Sequence, residues 1–333
     1  MQDAPADVAL REQLVRTYLA NNDYAAARTS AEDLKRLRPE SAVAYYLSGL
    51  AAQGEKRLDD AQREFTHALA LQPRAVDVLQ ALARLEVSRG QADAAVNLVR
   101  SFAEHNPADA NAQNLLAEVY LADKHPDLAV ASLNRAIELA PQWPEPYRNL
   151  ALVKFLGGDS NGAIAAYQAG IKAVPTAPKL VIELAMLYEK QGRVDAAIAA
   201  YEAWHRQNPK VQLVANNLAM LLVTYKTDRA SLDRARDLTA DFRGSEDGSL
   251  LDTDGWVHFK RAEYAQALPI LERAAERAPN SHEIHYHLGM AELQAGHTER
   301  ARHELETALS GTATFTGSDE ARNALASLKR AAG

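Results

Sequence analysis

The 333-residue chain contains no cysteine. Disulfides, thiol nucleophiles and cysteine-based metal sites are thereby excluded, and either cytoplasm or periplasm fits. Long apolar runs are missing too, as is a basic segment followed by an apolar one near the N-terminus, so neither a membrane span nor an export signal is read. Basic charge is in deficit: 37 Lys and Arg stand against 44 Asp and Glu, a formal net charge of −7. No basic run compensates, which argues against a nucleic-acid partner. Catalytic signatures are also lacking, with no phosphate-binding glycine loop, no GxSxG and no cysteine nucleophile. The abundant carboxylates spread over solvent faces. The chain is therefore expected to be no enzyme and to need neither cofactor nor metal.

What is present is a period. Pro39, Pro73, Pro107, Pro141, Pro175 and Pro209 follow one another every 34 residues. A fixed period of this length marks a solenoid, whose units bury their apolar faces against their neighbours. Units 8–41, 42–75, 76–109, 110–143, 144–177 and 178–211 follow. Their twentieth position is always alanine (Ala27, Ala61, Ala95, Ala129, Ala163, Ala197), and their eighth is small in all but the first, Val15. Two small positions twelve apart suit an antiparallel helix pair with closely approaching backbones. Ser41, Asp109 and Ser281 are placed to cap first helices, and Pro144 and Pro178 suit a first helical turn. Gly90, Gly158, Gly192 and Gly296 fall in the turns, and Asp59, Asp93, Asp127 and Asp195 open second helices.

After Pro209 the register shifts. Ala219 and Ala235 are sixteen apart, the extra residues falling around 224–232, and unit 212–247 lacks its proline. Normal spacing resumes in units 248–281 and 282–315. The expectation is an all-α, right-handed superhelical solenoid of about nine hairpins over 1–315, one elongated domain, closed by a capping helix in 316–333. Ala321, Leu325 and Leu328 form that helix's apolar stripe. The insertion and the lost proline are expected to loosen the joint between units 212–247 and 248–281.

These positions resemble the tetratricopeptide repeat. Unit 178–211 carries Leu184, Ala185, Tyr188, Gly192, Ala197, Tyr201 and Pro209 of its pattern, and unit 42–75 carries Tyr45, Gly49, Ala61, Phe65, Ala68 and Pro73. The resemblance covers about nine tenths of the chain. The stretches NNLAMLL (216–222), DGWVHFKRAEYAQALPILERA and FTGSDEARNALASL are similar to repeats of bacterial periplasmic proteins that accompany exopolysaccharide export and the PEP-CTERM sorting system. MQDAPADVAL reads as an initiator Met joined to a repeat boundary. A fragment of an exported, periplasmic protein is therefore expected, with the cytoplasm as the alternative.

The resemblance implies a scaffold that binds peptide or helical protein partners on a concave face lined by first helices. The corresponding positions give Tyr46, Leu50, Asn114, Arg148, Asn149, Lys179, Ile182, Asn216, Asn217, Met220, Trp256, Phe259, Tyr286, His287 and Met290 as candidate contacts. Asn149 and Asn217, with Arg148 and Lys179 nearby, suit the backbone and carboxylates of an extended peptide. Glu118 and Glu183 depart from the related chaperone-tail clamp. Met186, Met220, Trp256 and Met290 share the ninth position, either as an adaptable apolar strip with Trp256 the best contact, or as packing against the next unit. The aromatic residues Tyr46, Trp256, Phe259 and Tyr286 offer an alternative role as sugar platforms for a polysaccharide. His282, His285, His287, His297 and His303 crowd the last repeat without a metal-binding spacing.

Overall fold

The computed structural model describes residues 5–311 and 314–331. The first four residues, two residues of the loop after Leu309 and the last two of the expected cap lie outside them. Among the described residues there are nineteen α-helices, one short 3-10 turn and no strand. The first five hairpins pair α1 (Pro5–Ala20) with α2 (Tyr24–Leu37), α3 (Ala42–Gly54) with α4 (Leu58–Leu71), α5 (Val76–Ser88) with α6 (Ala92–His105), α7 (Ala110–Ala122) with α8 (Pro126–Leu139), and α9 (Pro144–Leu156) with α10 (Ser160–Ala173). The next four pair α11 (Pro178–Lys190) with α12 (Val194–Gln207), α13 (Gln212–Tyr225) with α14 (Arg229–Thr239), α15 (Gly248–Lys260) with α16 (Tyr264–Arg277), and α17 (His282–Gln294) with α18 (Thr298–Ala308). A last helix, α19 (Ser318–Ala331), packs on α17 and α18 through buried Ala321 and Leu328.

The helices fall into two compact units, Met1–Val174 and Pro175–Gly333. Contacts in a hairpin array are made between sequence neighbours, so compact bodies of a few hairpins form naturally.

All nine repeat alanines are fully buried. The small eighth position has a more specific reason than backbone approach. A Cβ on Gly49 would meet the Phe65 ring, and one on Gly255 or Gly289 would meet Leu271 or Leu305, each sixteen residues on in its second helix. Those three larger residues are fully buried. An added methyl there overpacks a filled contact, at roughly 1–3 kcal/mol.

The hairpin turn is tighter than its glycines indicated. Gly90, Gly158, Gly192 and Gly296 take positive φ, as read, but Asn22, Lys56, Lys124 and Ala262 take φ near 60° at the equivalent position. The packing of two helices fixes the turn, and a side chain there accepts the cost of the left-handed region, about 1–2 kcal/mol. Ser41 and Asp109 cap their helices through side-chain acceptance from Ala44 and Asn111 N–H groups. Ser281 does not, in contrast to its expected role.

The irregular stretch is tied to its neighbours by specific contacts. Phe242 in the 3-10 turn Phe242–Gly244 is buried, and Arg273 Nη1 donates to the Arg243 carbonyl at 2.9 Å. Buried Arg261 donates to Glu263 at 3.0 Å and pairs with Asp233 of α14. Thr239 Oγ1 donates to buried Asp254 at 3.0 Å. Charged hydrogen bonds and an aromatic anchor thus replace the missing proline as the device that sets the helix direction.

Candidate binding groove

In residues 1–174 the predicted contacts are largely used by the protein itself. Asn149 Nδ2 donates to Asn114 Oδ1 at 2.9 Å, and Arg84 pairs with Glu118 at 3.1 Å. Asn114 is buried, which corrects its reading as a groove contact. Its carboxamide is consumed in a ladder between first helices. Arg148 is half-buried and already engaged. Tyr46 and Leu50 are half-buried against the core around Phe65, and burial pushes the Tyr46 hydroxyl pKa up.

Residues 175–333 hold an open groove of about 350 Å³, lined chiefly by α11 and α13. Asn216, Asn217 and Met220 line it as expected from the sequence, together with Met186, which is 59% exposed. The carboxamides here are not consumed as they are near Asn114. Asn217 Nδ2 reaches only a long contact of 3.4 Å with the Tyr201 hydroxyl, and Asn216 Oδ1 is buried without a hydrogen-bond partner. Unsatisfied buried acceptors are uncommon and point to a missing donor. Glu189, Tyr201, Leu221, Thr224, Tyr225, Glu283 and Thr316 complete the lining. Burial pushes the Tyr201 hydroxyl up to about 12. Burial also raises the Glu283 carboxyl, with Asp252 adding to the shift and His287 opposing it. Lys179 is exposed and Ile182 half-buried on α11, and neither lines this groove.

A tetratricopeptide repeat family model matches residues 80–144 and 149–211, and a second model of the same description matches 258–328, together more than half of the chain. The chain is a tetratricopeptide repeat protein. The family is one of non-catalytic interaction scaffolds. Among relatives, anaphase-promoting complex subunit 7 of Dictyostelium discoideum is 29% identical over 152 residues, 45% of this repeat chain and 26% of that protein. The match therefore spans about a quarter of the relative's length. Among solved structures, Pseudomonas aeruginosa PilF superposes with a TM-score of 0.45 at 18% identity, covering 61% of this chain and 92% of its own. The Cut9–Hcn1 hetero-tetramer of the anaphase-promoting complex gives 0.47 at 15% identity, covering 90% of this chain and 59% of its own.

The remaining candidates of this tetratricopeptide repeat chain need correction. Trp256, Tyr286, His287 and Met290 are buried, at 8% exposure or less, and do not line an open surface. Trp256 stacks on His287 (4.0 Å between ring centres) and Phe259 (4.6 Å), with the Lys260 ammonium 4.7 Å from its ring. Tyr286 lies 5.5 Å from Phe315, and its hydroxyl donates to Glu320 of α19 at 2.7 Å. His287 donates to Asp252 at 2.8 Å. These side chains join α15, α17 and the last helix. Phe259, half-buried, is the partly accessible member of the set. The histidines do not form a cluster: His285 pairs with Glu304, His297 with Glu292, and His282 reaches the Ala308 carbonyl. Among the described residues no group of three potential ligands converges on a metal position, and no helix is long and apolar enough to cross a membrane.

Sequence reasoning missed Glu189, Tyr225 and Glu283 as lining residues. Tyr225 had a signal, because the inserted residues around 224–232 extend α13 to fourteen residues, against thirteen in α11, and the added Tyr225 joins Thr224 on the groove, where its hydroxyl donates to Glu189 at 3.1 Å. The insertion contributes to the site through a longer helix.

Proposed function

We propose that the chain is a non-catalytic interaction scaffold and that the groove formed by α11 and α13 binds an extended segment of a partner protein. The observation that carries this reading is the pair Asn216 and Asn217, whose carboxamides keep hydrogen-bonding capacity beside exposed Met186. A carboxamide both donates and accepts, which suits a peptide backbone, and a thioether adapts to varied side chains. The relative named as a subunit of a multi-protein complex supports a role in assembly. Peptides selected on the full chain, measured against Met186→Asp and Asn217→Ala, test the proposal. Binding is expected to fall about ten-fold or more in each while circular dichroism is unchanged. Binding indifferent to both changes refutes the groove.

The wider setting we propose is a bacterial periplasmic assembly for exopolysaccharide export or protein sorting, supported by the phrases in 216–222 and 254–274. Gene neighbours encoding glycosyltransferases, an outer-membrane exporter or a sorting protease are the expected finding, with the protein in the periplasmic fraction. Cytoplasmic fractionation of the natural full-length product overturns it. Direct polysaccharide binding has less support, because Trp256 and Tyr286, two of its four platforms, are buried in ring contacts.

A further inference from the structure

The lining of the groove selects the chemistry of its occupant. Glu189 and Glu283 are the charged side chains among the described lining residues; no lysine, arginine or histidine lines the groove with them, although His287, behind Glu283 on α17, acts on its carboxyl. The Asn216 Oδ1 atom adds a buried acceptor that lacks a donor. The strongest polar groups offered are therefore acceptors. An anionic ligand would be repelled, and a neutral one would leave the carboxylates uncompensated. Lysine supplies three donors and arginine five, with no acceptor in either. Met186 and Met220 provide apolar surface for a methylene stem, and the rings of Tyr201 and Tyr225 suit a cation at their faces. A volume of about 350 Å³ lies at the lower end of ligand pockets, which run from roughly 300 to 1,000 Å³. It holds side chains of an extended segment.

We propose that this groove takes a lysine or arginine side chain of an extended peptide, its cationic head held by Glu189, Glu283 and Asn216 Oδ1 and its stem laid along Met186 and Met220. The assignment rests on the groove being the peptide site and adds the chemistry of the residue it captures. The general consequence is that salt weakens the complex, since part of the attraction lies near the surface.

A displayed library of random heptapeptides, selected on the full chain, provides the test. Enriched peptides are expected to carry a lysine or arginine. Replacing it by norleucine or citrulline is expected to weaken binding about ten-fold or more. Glu283→Gln and Glu189→Gln are each expected to weaken it several-fold at unchanged circular dichroism. Should Glu283→Gln disturb folding, Glu189→Gln and the citrulline peptide carry the test. Peptides that lose binding in Met186→Asp but are indifferent to the neutral peptide and to both glutamine variants overturn the cation assignment and leave the groove standing. A library that yields no groove-dependent binder overturns both.

Discussion

Trp256→Ala separates a binding role from a packing role. A groove contact on the surface could be truncated with little loss of stability. The structure requires the opposite. Trp256 is 3% exposed and stacked on both His287 and Phe259. Truncating a buried tryptophan costs about 3–5 kcal/mol through lost transfer energy and residual cavity. The two ring contacts, worth about 0.5–1.5 kcal/mol for each aromatic pair, place the expectation near 4 kcal/mol. Repeat arrays do not unfold as one unit, so a single melting temperature is the wrong readout. Native-state hydrogen exchange resolves the effect locally. At 1.4 kcal/mol per decade, amides of α15 and α17 should exchange roughly a thousand-fold faster, with those of α3 and α5 unchanged. Met186→Ala is the control: at 59% exposure it should alter exchange by no more than about three-fold. Acceleration below ten-fold in Trp256→Ala, or equal acceleration along the whole chain, would refute the packing assignment.

Two further outcomes follow from the charged contacts. Arg261→Ala removes the group shared by Glu263 and Asp233, so amides across 229–263 are expected to exchange about ten-fold faster, partly restored by lysine at the same position. Unchanged protection there would show that the network does not secure the irregular repeat. Glu202 accepts two hydrogen bonds from Arg234, at 2.8 and 2.9 Å, which hold its carboxyl below the ordinary 4.5. A depressed folded pKa contributes stability above the ordinary value, and that stability is lost as pH falls through the folded value. Glu202→Gln should therefore flatten part of the acid-side loss of hydrogen-exchange protection in α12 and α14, followed below about pH 5 and corrected for the intrinsic exchange rate. Asp254 and Glu283, whose carboxyls burial raises, act in the opposite sense but are common to both proteins and cancel in the difference. Parallel curves for the two proteins would sink the assignment.

The fold was legible because its information is local and repeated. Proline spacing, the alanine series and small residues such as Gly49 and Gly255 are properties of one hairpin written many times, and a hairpin largely specifies itself. The left-handed turns of Lys56, Lys124 and Ala262 were not legible, since no propensity favours them there and packing overrides the preference. The site was legible in part. Asn216, Asn217 and Met220 emerge from first-helix register, and Glu283 and Glu189 stand at the second and twelfth positions of the same register without having been singled out, whereas Thr316 comes to the groove only through packing.

Met186 and Met290 show the division most directly. Both occupy the ninth position of a first helix, and from sequence they are equivalent. In the folded chain Met186 is 59% exposed beside the groove and Met290 is 8% exposed. By itself the sequence determined the hairpins, their length and their buried small residues, because these depend on spacing and side-chain size within one unit. Only the tertiary structure decided which ninth-position side chains remain open to a partner, because exposure depends on what neighbouring hairpins, ring stacks and the last helix cover.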